Sequence, residues 1–261
     1  KLAKIALEKL SLSPEEQQLA KLSAQDVELT AEGNQLNLPQ LEATSFSLTP
    51  EIAQLETLLL TGLKLTSPAN QLAVSLPKLS AEQAQLELAS QDFKLAAASL
   101  ANLEITQAAN QIYLSQLKLK AAHYQPAEQS LSLLRLENLE INQPSGQQTS
   151  QLNLTWLEAQ QLVTNLNQQS FRLDKLHLGS SEDALSKLVF TDLTPKPQVK
   201  IQLKLHQLEV NQLAGELNQQ GEFSLSPANF SLNLGVGDFG RLNLQGQLGL
   251  INLKGASYPE G

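Results

Sequence analysis

The chain has 261 residues, with 18 Lys and Arg against 26 Asp and Glu, so its formal net charge is −8. Its 57 leucines and 31 glutamines make up a third of the chain, whereas cysteine and methionine are absent and aromatic residues amount to 4%. This composition excludes intrinsic disorder, thiolate metal sites, thiol nucleophiles and disulfides, and the negative charge argues against binding to nucleic acid or to anionic lipid surfaces.

The N-terminal segment predicts a short helix. Ser13-Pro14-Glu15-Glu16 places a serine at the N-cap, a proline at the first helical position and acidic residues in the first turn, so a helix is expected to about Leu22. Thr49-Pro50-Glu51 and Ser181-Glu182-Asp183 are further candidate starts of single helical turns. No run of about 18 apolar residues predicts a transmembrane helix. The chain opens at Lys1 without a signal peptide, so we expect a piece of a longer protein.

Beyond the first segment, the apolar residues alternate with small or polar ones. Leu72, Val74 and Leu76 illustrate the pattern, and the segment from Val199 to Leu205 repeats it. Leucine, alanine and glutamine favour helices by propensity, but a period of two places one face of a strand against a core and the other against water. Burial outweighs a few tenths of a kcal/mol of propensity, so we predict β-strands.

A second regularity is a step of three followed by a step of two between apolar residues. Within a period-two strand, a step of three shifts the face by one residue, which predicts a bulge or bend at the intervening pair. The triplets are Leu60, Leu63, Leu65; Leu100, Leu103, Ile105; Leu114, Leu117, Leu119; Leu136, Leu139, Ile141; Leu173, Leu176, Leu178; and Leu205, Leu208, Val210.

Turn signals divide these strands into a degenerate repeat. They include Ser67-Pro68-Ala69-Asn70 and Gln143-Pro144-Ser145-Gly146, and where they are most regular they recur at roughly 18 residues. Glycine is rare before residue 190 and frequent after it, which suggests a soft boundary at 194–197. We therefore predict a repeating strand-turn region over residues 1–190 and a glycine-punctuated β region over 191–261, continuous with the first.

No catalytic or metal-binding constellation is evident. His123 is interpreted as a turn residue and His177 and His206 as residues of a solvent-facing strand, without the spacing of metal ligands. The segment Gly235–Gly240 superficially resembles a phosphate loop, but a strand pattern follows it, so a hairpin or bulge is favoured. We expect no enzyme activity, no cofactor and no metal.

The leucine face is the remaining candidate site. It could be a dry core between two packed faces, or it could line a long apolar groove. An aliphatic lining without aromatics suits flexible acyl chains, and each buried lipid methylene would contribute about 0.8 kcal/mol. The residues predicted to face lipid are Leu100, Leu103, Ile105, Leu114, Leu117, Leu119, Leu136, Leu139, Ile141, Leu173, Leu176 and Leu178.

A family resemblance begins at Val189-Phe190-Thr191-Asp192-Leu193-Thr194-Pro195-Lys196-Pro197. With the strand patterns Val199–Leu205 and Leu208–Leu213, and the glycine-punctuated strands at Gly221-Glu222-Phe223 and Gly240–Gly246, this stretch resembles the AsmA-like superfamily of TamB-related bacterial envelope proteins. The resemblance implies a periplasmic β-groove of a Gram-negative bacterium. It also implies an inner-membrane anchor, which lies outside this chain, and a role in phospholipid movement to the outer membrane.

The fold predicted from all of this is an all-β, elongated, twisted antiparallel sheet that curls into a repeating β-groove, with a short N-terminal helix. A leucine-rich-repeat horseshoe is disfavoured because its asparagine ladder is missing, and a β-helix stays open. The predicted function is non-enzymatic lipid binding or conduction, with phospholipid or another acyl lipid and inner- and outer-membrane proteins as partners. The alternatives are an envelope scaffold with a closed leucine core and, from a different class, a hydrolase.

Overall fold

The computed structural model describes residues 2–145, 148–179, 186–192, 199–217, 222–226, 228–236, 241–248 and 251–254. These residues form sixteen β-strands and a single 3-10 turn at Pro68–Asn70, and they include no α-helix. All sixteen strands belong to one sheet, and neighbouring strands run antiparallel throughout the described part of the chain. The predicted all-β, antiparallel architecture is therefore confirmed, and a β-helix, whose strands would pair in parallel, is excluded.

The strands of the first half are long and follow one another across the sheet. They are β1 (Leu2–Leu12), β2 (Gln17–Ala31), β3 (Asn34–Leu48), β4 (Ile52–Ser67), β5 (Leu72–Glu87), β6 (Asp92–Gln107), β7 (Asn110–Tyr124), β8 (Glu128–Ser145) and β9 (Gln148–Asn165). The second half consists of β10 (Ser170–Gly179), β11 (Ser186–Asp192), β12 (Val199–Leu217), β13 (Glu222–Leu225), β14 (Ala228–Val236), β15 (Arg241–Leu248) and β16 (Ile251–Lys254).

The second half of the sheet departs from simple hairpin order. Strands β10 and β11 share the space between β9 and β12, β10 along one half of these long strands and β11 along the other. The far side of β12 is likewise divided between β13 and β14, and these pair in turn with β16 and β15. At two positions in this half of the sheet, two short strands together occupy the place of one long strand. These are β10 with β11 and β13 with β14.

The predicted helix from Ser13 to about Leu22 is wrong. Ser13 instead closes the tight turn between β1 and β2, where its backbone N–H donates to the Glu16 carbonyl and its Oγ accepts from the Glu16 N–H, both at 2.9 Å. The same residue type that caps a helix also stabilises a turn through a local hydrogen bond. The step of three from Leu19 to Leu22, which is compatible with a helix, lies inside strand β2.

Thr49-Pro50-Glu51 is also a hairpin turn rather than a helix start. The Thr49 N–H donates to the Ile52 carbonyl at 2.8 Å, and Thr49 Oγ1 accepts from the Ile52 N–H at 3.0 Å. The third candidate, Ser181-Glu182-Asp183, and the predicted boundary at 194–197 lie outside the described residues. So does the centre of the Gly235–Gly240 segment, which β14 and β15 flank as an antiparallel pair.

Two lines of irregular backbone cross the sheet perpendicular to the strands. Along each line the antiparallel register passes over one residue of each strand, or two residues where β3 pairs with β4 and where β5 pairs with β6. One of the residues passed over in every second strand has a positive φ. The first kink line consists of Lys9, Ala20, Ser45, Glu56, Gln83, Ala96, Ala121, Ser132, Gln161, Asp174 and Gln212. The second consists of Ala3, Asp26, Pro39, Gly62, Pro77, Asn102, Ser115, Asn138 and Thr155.

The left-handed residues alternate strictly between the two lines. Strands β1, β3, β5, β7, β9 and β12 have theirs on the first line, with φ from 47° at Ala121 to 60° at Gln212. Strands β2, β4, β6 and β8 have theirs on the second line, with φ from 50° at Asn138 to 75° at Gly62. Every left-handed residue therefore faces a residue of ordinary backbone in each flanking strand.

The second kink line explains two prolines inside strands. Pro39 and Pro77 flank Gly62 in the neighbouring strands β3 and β5, where a regular ladder would need their missing N–H groups. The register passes over both of them, and it also skips the adjacent pairs Leu38–Leu63 and Leu76–Leu103, so the ladder is interrupted on one side of each proline. A Cβ on Gly62 would lie 2.9 Å from Pro39 Cγ, which adds a steric requirement for glycine to the positive φ.

The kink lines account for the step of three between apolar residues. A single left-handed residue reverses the alternation of side chains, so residues i and i+3 around it lie on one face. The predicted irregularity is confirmed as a positive φ at Gly62, Asn102 and Asn138. Ser115 and Asp174 lie opposite such residues, and the sixth site is a register shift between Leu205 and Gln207 of β12.

A buried hydroxyl cluster marks the place where β10 gives way to β11. Thr155 and Ser186 are 2% and 1% exposed, and the hydroxyls of both donate to the Gly179 carbonyl. Ser186 Oγ also accepts from the Thr155 backbone N–H at 2.9 Å. These bonds serve backbone groups that an interrupted strand would otherwise leave unpaired.

Candidate functional site

The candidate site is one face of the sheet, which we call the aliphatic face. Cross-strand register aligns its residues into rows that run along the sheet, perpendicular to the strands. The central row is Ile5, Ala24, Leu41, Leu60, Leu79, Leu100, Leu117, Leu136, Leu157, Leu178, Leu208, Leu232 and Leu244. A parallel row beyond the second kink line is Leu29, Leu36, Leu65, Val74, Ile105, Ile112, Ile141, Leu152, Leu188 and Leu203.

The aliphatic face continues across both kink lines. A row between the lines contains Leu58, Ala81, Ala98, Leu119, Leu134, Ala159, Leu176 and Val210. A row beyond the first line contains Leu10, Leu19, Phe46, Leu55, Ala84, Leu95, Ala122, Leu131, Leu162, Leu173 and Leu213. The kinks thus keep apolar residues on one side of strands that span about 50 Å at about 3.3 Å per residue.

All twelve residues predicted to face lipid lie on the aliphatic face. Leu114 and Leu173 are buried, at 7% and 8% exposure, and the other ten are half-buried. The register brings Leu100, Leu117 and Leu136 side by side in the central row, although they come from three different strands. The sequence-based selection missed the rest of each row, because it used only triplets in four strands and did not detect the first kink line as a continuous feature.

Little of the aliphatic face is covered by protein. Within the described residues the buried apolar side chains are few: Ala24, Leu114, Ala159, Leu173 and Val189. The chain has an accessible surface of 16662 Å², against about 11,000 Å² for a compact monomer of its mass. This excess is what a single sheet without a second packed layer produces, because each strand is then covered only by its neighbours.

The cavities of the structure lie mainly on the opposite face. Five cavities of 260 to 500 Å³ are lined by residues such as Tyr113, Lys187, Arg172 and Gln83, and Ile141 is the one predicted lipid-facing residue among their linings. The aliphatic face contributes only a few residues to these linings, such as Leu152, Leu55 and Leu19, and none of these cavities follows a row. A ligand that used the aliphatic face would contact many rows at once.

The opposite face, which we call the polar face, carries charged and amide side chains in equally regular rows. One row contains Ser80, Ser99, Lys118, Arg135, Glu158, His177 and Glu209. The Arg135 guanidinium lies 3.9 Å from the centroid of Trp156, and its Nε lies 3.4 Å from Glu158 Oε2. Cross-strand pairs of opposite charge stabilise antiparallel sheets modestly. Arg135 Nε, Asn142 Oδ1 and Asn153 Oδ1 are nevertheless buried without a hydrogen-bond partner.

A carboxylate cluster lies at the turn end of the polar face. The buried Asp92 accepts from Gln125 Nε2 at 2.9 Å, has His123 Nε2 at 2.7 Å and has Lys94 Nζ at 3.3 Å. The hydrogen bond from Gln125, followed by those from His123 and Lys94, holds the pKa of Asp92 below its ordinary value in spite of its burial. The hydrogen bond between Lys94 and Asp92 in turn raises the pKa of Lys94.

The Asp92–His123 pair corrects the interpretation of His123 as a turn residue, since it lies in β7 opposite Lys94. An aspartate that orients a histidine also occurs in hydrolases, where the histidine activates a nucleophile. Among the described residues, however, no serine or threonine hydroxyl bonds to His123. No sequence pattern predicts this pair, because Asp92 and His123 meet only through the register of two strands.

A second lowered carboxyl pKa belongs to Glu209 in β12. The hydrogen bond from Asn211 Nδ2, at 3.3 Å, is its largest cause, and Lys175 Nζ, 3.4 Å from the carboxylate, adds to it. His177 lies beside Glu209 in register, and Asp174 accepts from Arg172 at 3.0 Å. His177 therefore lies on the polar face, in agreement with its interpretation as a solvent-facing strand residue.

Neither a metal site nor a membrane-spanning helix is found in the described residues. No group of three or more His, Asp and Glu side chains within them could hold a metal ion. The same residues include no helix with the length and hydropathy needed to cross a bilayer.

Comparison with models of known protein families, with curated proteins and with solved structures finds no match for this chain.

Proposed function

We propose that the aliphatic face binds the acyl chains of phospholipids, and that the sheet curls around them as an open β-groove. The observation that carries this proposal is the continuity of the rows, which offer apolar side chains in eight to thirteen neighbouring strands with few of them buried among the described residues. An exposed apolar surface of this extent in a folded protein normally marks a binding surface.

The chemistry of the surface favours acyl chains over rigid ligands. Leucine, alanine and isoleucine present no hydrogen-bond donors or acceptors, so they hold a chain without fixing its orientation. About 0.8 kcal/mol for each shielded methylene gives substantial affinity to a chain of ordinary length even where it is partly wetted. Such binding depends little on position along a row, which allows a lipid to move along the groove.

The direction of the rows supports conduction. They run across the strands, so each added hairpin extends the same surface along one axis. Together with the resemblance to the AsmA-like superfamily, this supports a non-enzymatic role in phospholipid transport between the inner and outer membranes. In this proposal the chain works in the periplasm, as part of a protein anchored in the inner membrane.

The proposal is tested by lipid extraction from vesicles that contain phosphatidylethanolamine labelled with a fluorophore on its head group. The purified chain is expected to withdraw the labelled lipid, and native mass spectrometry should find one or more phospholipids bound. Leu117→Asp places a charge in the centre of the central row and should lower extraction by at least about tenfold, because the charge would have to be desolvated beside the acyl chain.

The matched control is Lys118→Asp, one residue further in β7 and on the polar face. It introduces the same side chain and should leave extraction unchanged. If Leu117→Asp unfolds the protein, or if the parent chain neither extracts nor carries lipid, the aliphatic face is the closed core of a scaffold and the proposal fails.

A further inference from the structure

The cavity of 260 Å³, which lies mainly on the polar face, is bounded by a regular block of side chains. Two adjacent rows of the sheet form this block, each with one residue from β7, β8, β9 and β11. One row consists of Gln111, Asn142, Gln151 and Val189. The other consists of Tyr113, Glu140, Asn153 and Lys187. We call these eight residues the amide block, which extends about 14 Å across strands that lie about 4.8 Å apart.

Half of the amide block consists of carboxamides. They are uncharged, and each presents both N–H donors and a carbonyl acceptor; they are Gln111, Asn142, Gln151 and Asn153. Glu140 and Lys187 add one negative and one positive charge, so the block is neutral overall. Neither of these two forms an ion pair with a described residue, which leaves both charges available to a ligand.

Two carboxamide oxygens of the block have no partner within the described protein. Asn142 Oδ1 and Asn153 Oδ1 are buried and accept no hydrogen bond. Asn153 Nδ2 donates to Glu140 Oε1 at 3.4 Å, a long hydrogen bond that holds the amide only weakly. Both asparagines are half-buried as whole residues, so a rotation about χ2 turns their oxygens into the cavity. Unpaired buried acceptors are costly, and these two favour a ligand that donates hydrogen bonds.

The two ends of the amide block are less polar than its centre. Tyr113 lies at the β7 end, where its hydroxyl donates to Asn102 Oδ1 at 3.1 Å and so holds the ring in place. Val189, which is 9% exposed, lies at the β11 end. A ligand in the cavity therefore meets hydrogen-bonding groups at its middle and apolar surface at its ends. Saccharides combine hydroxyl groups and C–H surfaces in this way.

We propose that the amide block binds a neutral saccharide of one or two rings, independently of lipid binding on the aliphatic face. Hydroxyl groups both donate and accept, so they can donate to Asn142 and Asn153 and accept from Lys187. An anion would face the Glu140 carboxylate, and a metal cation would face the Lys187 ammonium. The volume of 260 Å³ lies below the range of about 300–1,000 Å³ that drug-sized ligands fill, which suits a mono- or disaccharide.

Isothermal titration calorimetry of the 261-residue chain with maltose, cellobiose and N,N′-diacetylchitobiose tests the proposal. At least one of these sugars should bind with saturable heat at a ratio of one to one. Asn142→Ala should then raise the dissociation constant by about tenfold, because it removes an acceptor for a sugar hydroxyl. It should leave the urea midpoint unchanged or raise it, because it also removes an unpaired buried group.

The matched control is Asn37→Ala, the same substitution at an exposed position of the polar face in β3. It should change neither the sugar affinity nor the urea midpoint. If Asn142→Ala lowers the urea midpoint and leaves the sugar affinity unchanged, the amide belongs to the fold, and the proposal fails.

Tyr113 provides a second pair of variants. Tyr113→Ala removes the ring and should weaken sugar binding by about tenfold, whereas Tyr113→Phe keeps the ring and should weaken it by less than about threefold. Equal losses in both variants would contradict the role given to the ring surface.

Titrations with calcium chloride and with inorganic phosphate distinguish the class of ligand. Neither ion should give saturable heat, because the amide block holds opposite charges at Glu140 and Lys187. Saturable binding of either ion that Asn142→Ala abolishes would overturn the proposal, and so would the absence of saturable binding by all three sugars.

Discussion

The two halves of the sheet keep their apolar residues on one face in different ways. From β1 to β9, strands of 11 to 18 residues follow each other as hairpins, and both kink lines cross them without a break. From β10 to β16, only β12 has comparable length, and shorter strands pair along the divided sides of β9 and β12. The first half bends each strand with a left-handed residue. In the described part of the second half only β12 has one, at Gln212, and β10 instead ends where β11 takes over its position.

This comparison shows what a left-handed residue does in a long strand. Where β9 meets the second kink line at Thr155, the next strand contains no left-handed residue. It stops at Gly179, and Ser186 begins its replacement. The second kink line therefore ends in an interruption with its own hydrogen bonds. A left-handed residue and a strand interruption are therefore two ways to keep apolar residues on one face across the second kink line.

The largest effect that separates the halves should come from the core residue Leu114. It is 7% exposed in β7, so Leu114→Ala should lower the free energy of unfolding by about 2–3 kcal/mol through lost burial and a residual cavity. Leu244→Ala in β15, where the side chain is 44% exposed, should cost less than about 0.5 kcal/mol. Urea unfolding curves measure both, and equal losses would contradict the difference in packing between the halves.

Gly62 tests the kink itself. Gly62→Ala forces a side chain into a positive φ and against the Pro39 ring, so it should cost about 2 kcal/mol. The reverse change at the other kink line, Ala121→Gly, relieves a left-handed alanine and should add about 0.5 kcal/mol. Urea midpoints at unchanged m-value report both signs. A stabilising Gly62→Ala would show that the backbone at this line is not left-handed.

Ser186 tests the interruption. Ser186→Ala removes the acceptor of the buried Thr155 N–H and should cost about 1–2 kcal/mol. Ser80→Ala removes a half-buried hydroxyl pair with Ser99 in the regular half and should cost about 0.5 kcal/mol or less. Thermal unfolding followed by circular dichroism separates them. A larger loss at Ser80 would argue that the interruption needs no hydroxyl support.

The smallest effects should appear in acid, with one carboxyl from each half. The folded-state pKa values of Asp92 and Glu209 lie below their ordinary values of 3.8 and 4.5, so the unfolded chain binds protons first as the pH falls. Their contributions are therefore complete above these values and are lost below them, beginning at the higher pH for Glu209. Unfolding curves between pH 3 and 6 should lose part of their acid slope in Asp92→Asn and in Glu209→Gln. An unchanged slope in both variants would contradict the lowered pKa values.

The strands were predictable because their signal is local. The alternation at Leu72, Val74 and Leu76 predicts a strand wherever one face is buried. The triplets predicted the irregular backbone of the second kink line, which the structure has at Gly62, Asn102 and Asn138. The helix after Ser13 failed because a serine-proline turn and a helix N-terminus share the same residues. The spacing of three residues between Leu19 and Leu22, which the kink produces in a strand, also fits one turn of a helix.

The remaining features depend on register, which a single sequence does not display. The first kink line places Gln83, Ala121 and Gln161 in positive φ, and none of these residue types signals a left-handed backbone. Asp92 and His123 are likewise brought together by the register of β6 and β7. Both the first kink line and the Asp92–His123 contact depend on the pairing of the strands.

The alternation of left-handed residues has a consequence for how such a chain can change in length. Removing one strand would bring two strands with the same kink position together, and their left-handed residues would face each other. Removing a complete hairpin keeps every neighbour compatible. Within β1 to β9, we therefore expect engineered insertions and deletions to be tolerated as whole hairpins rather than as single strands.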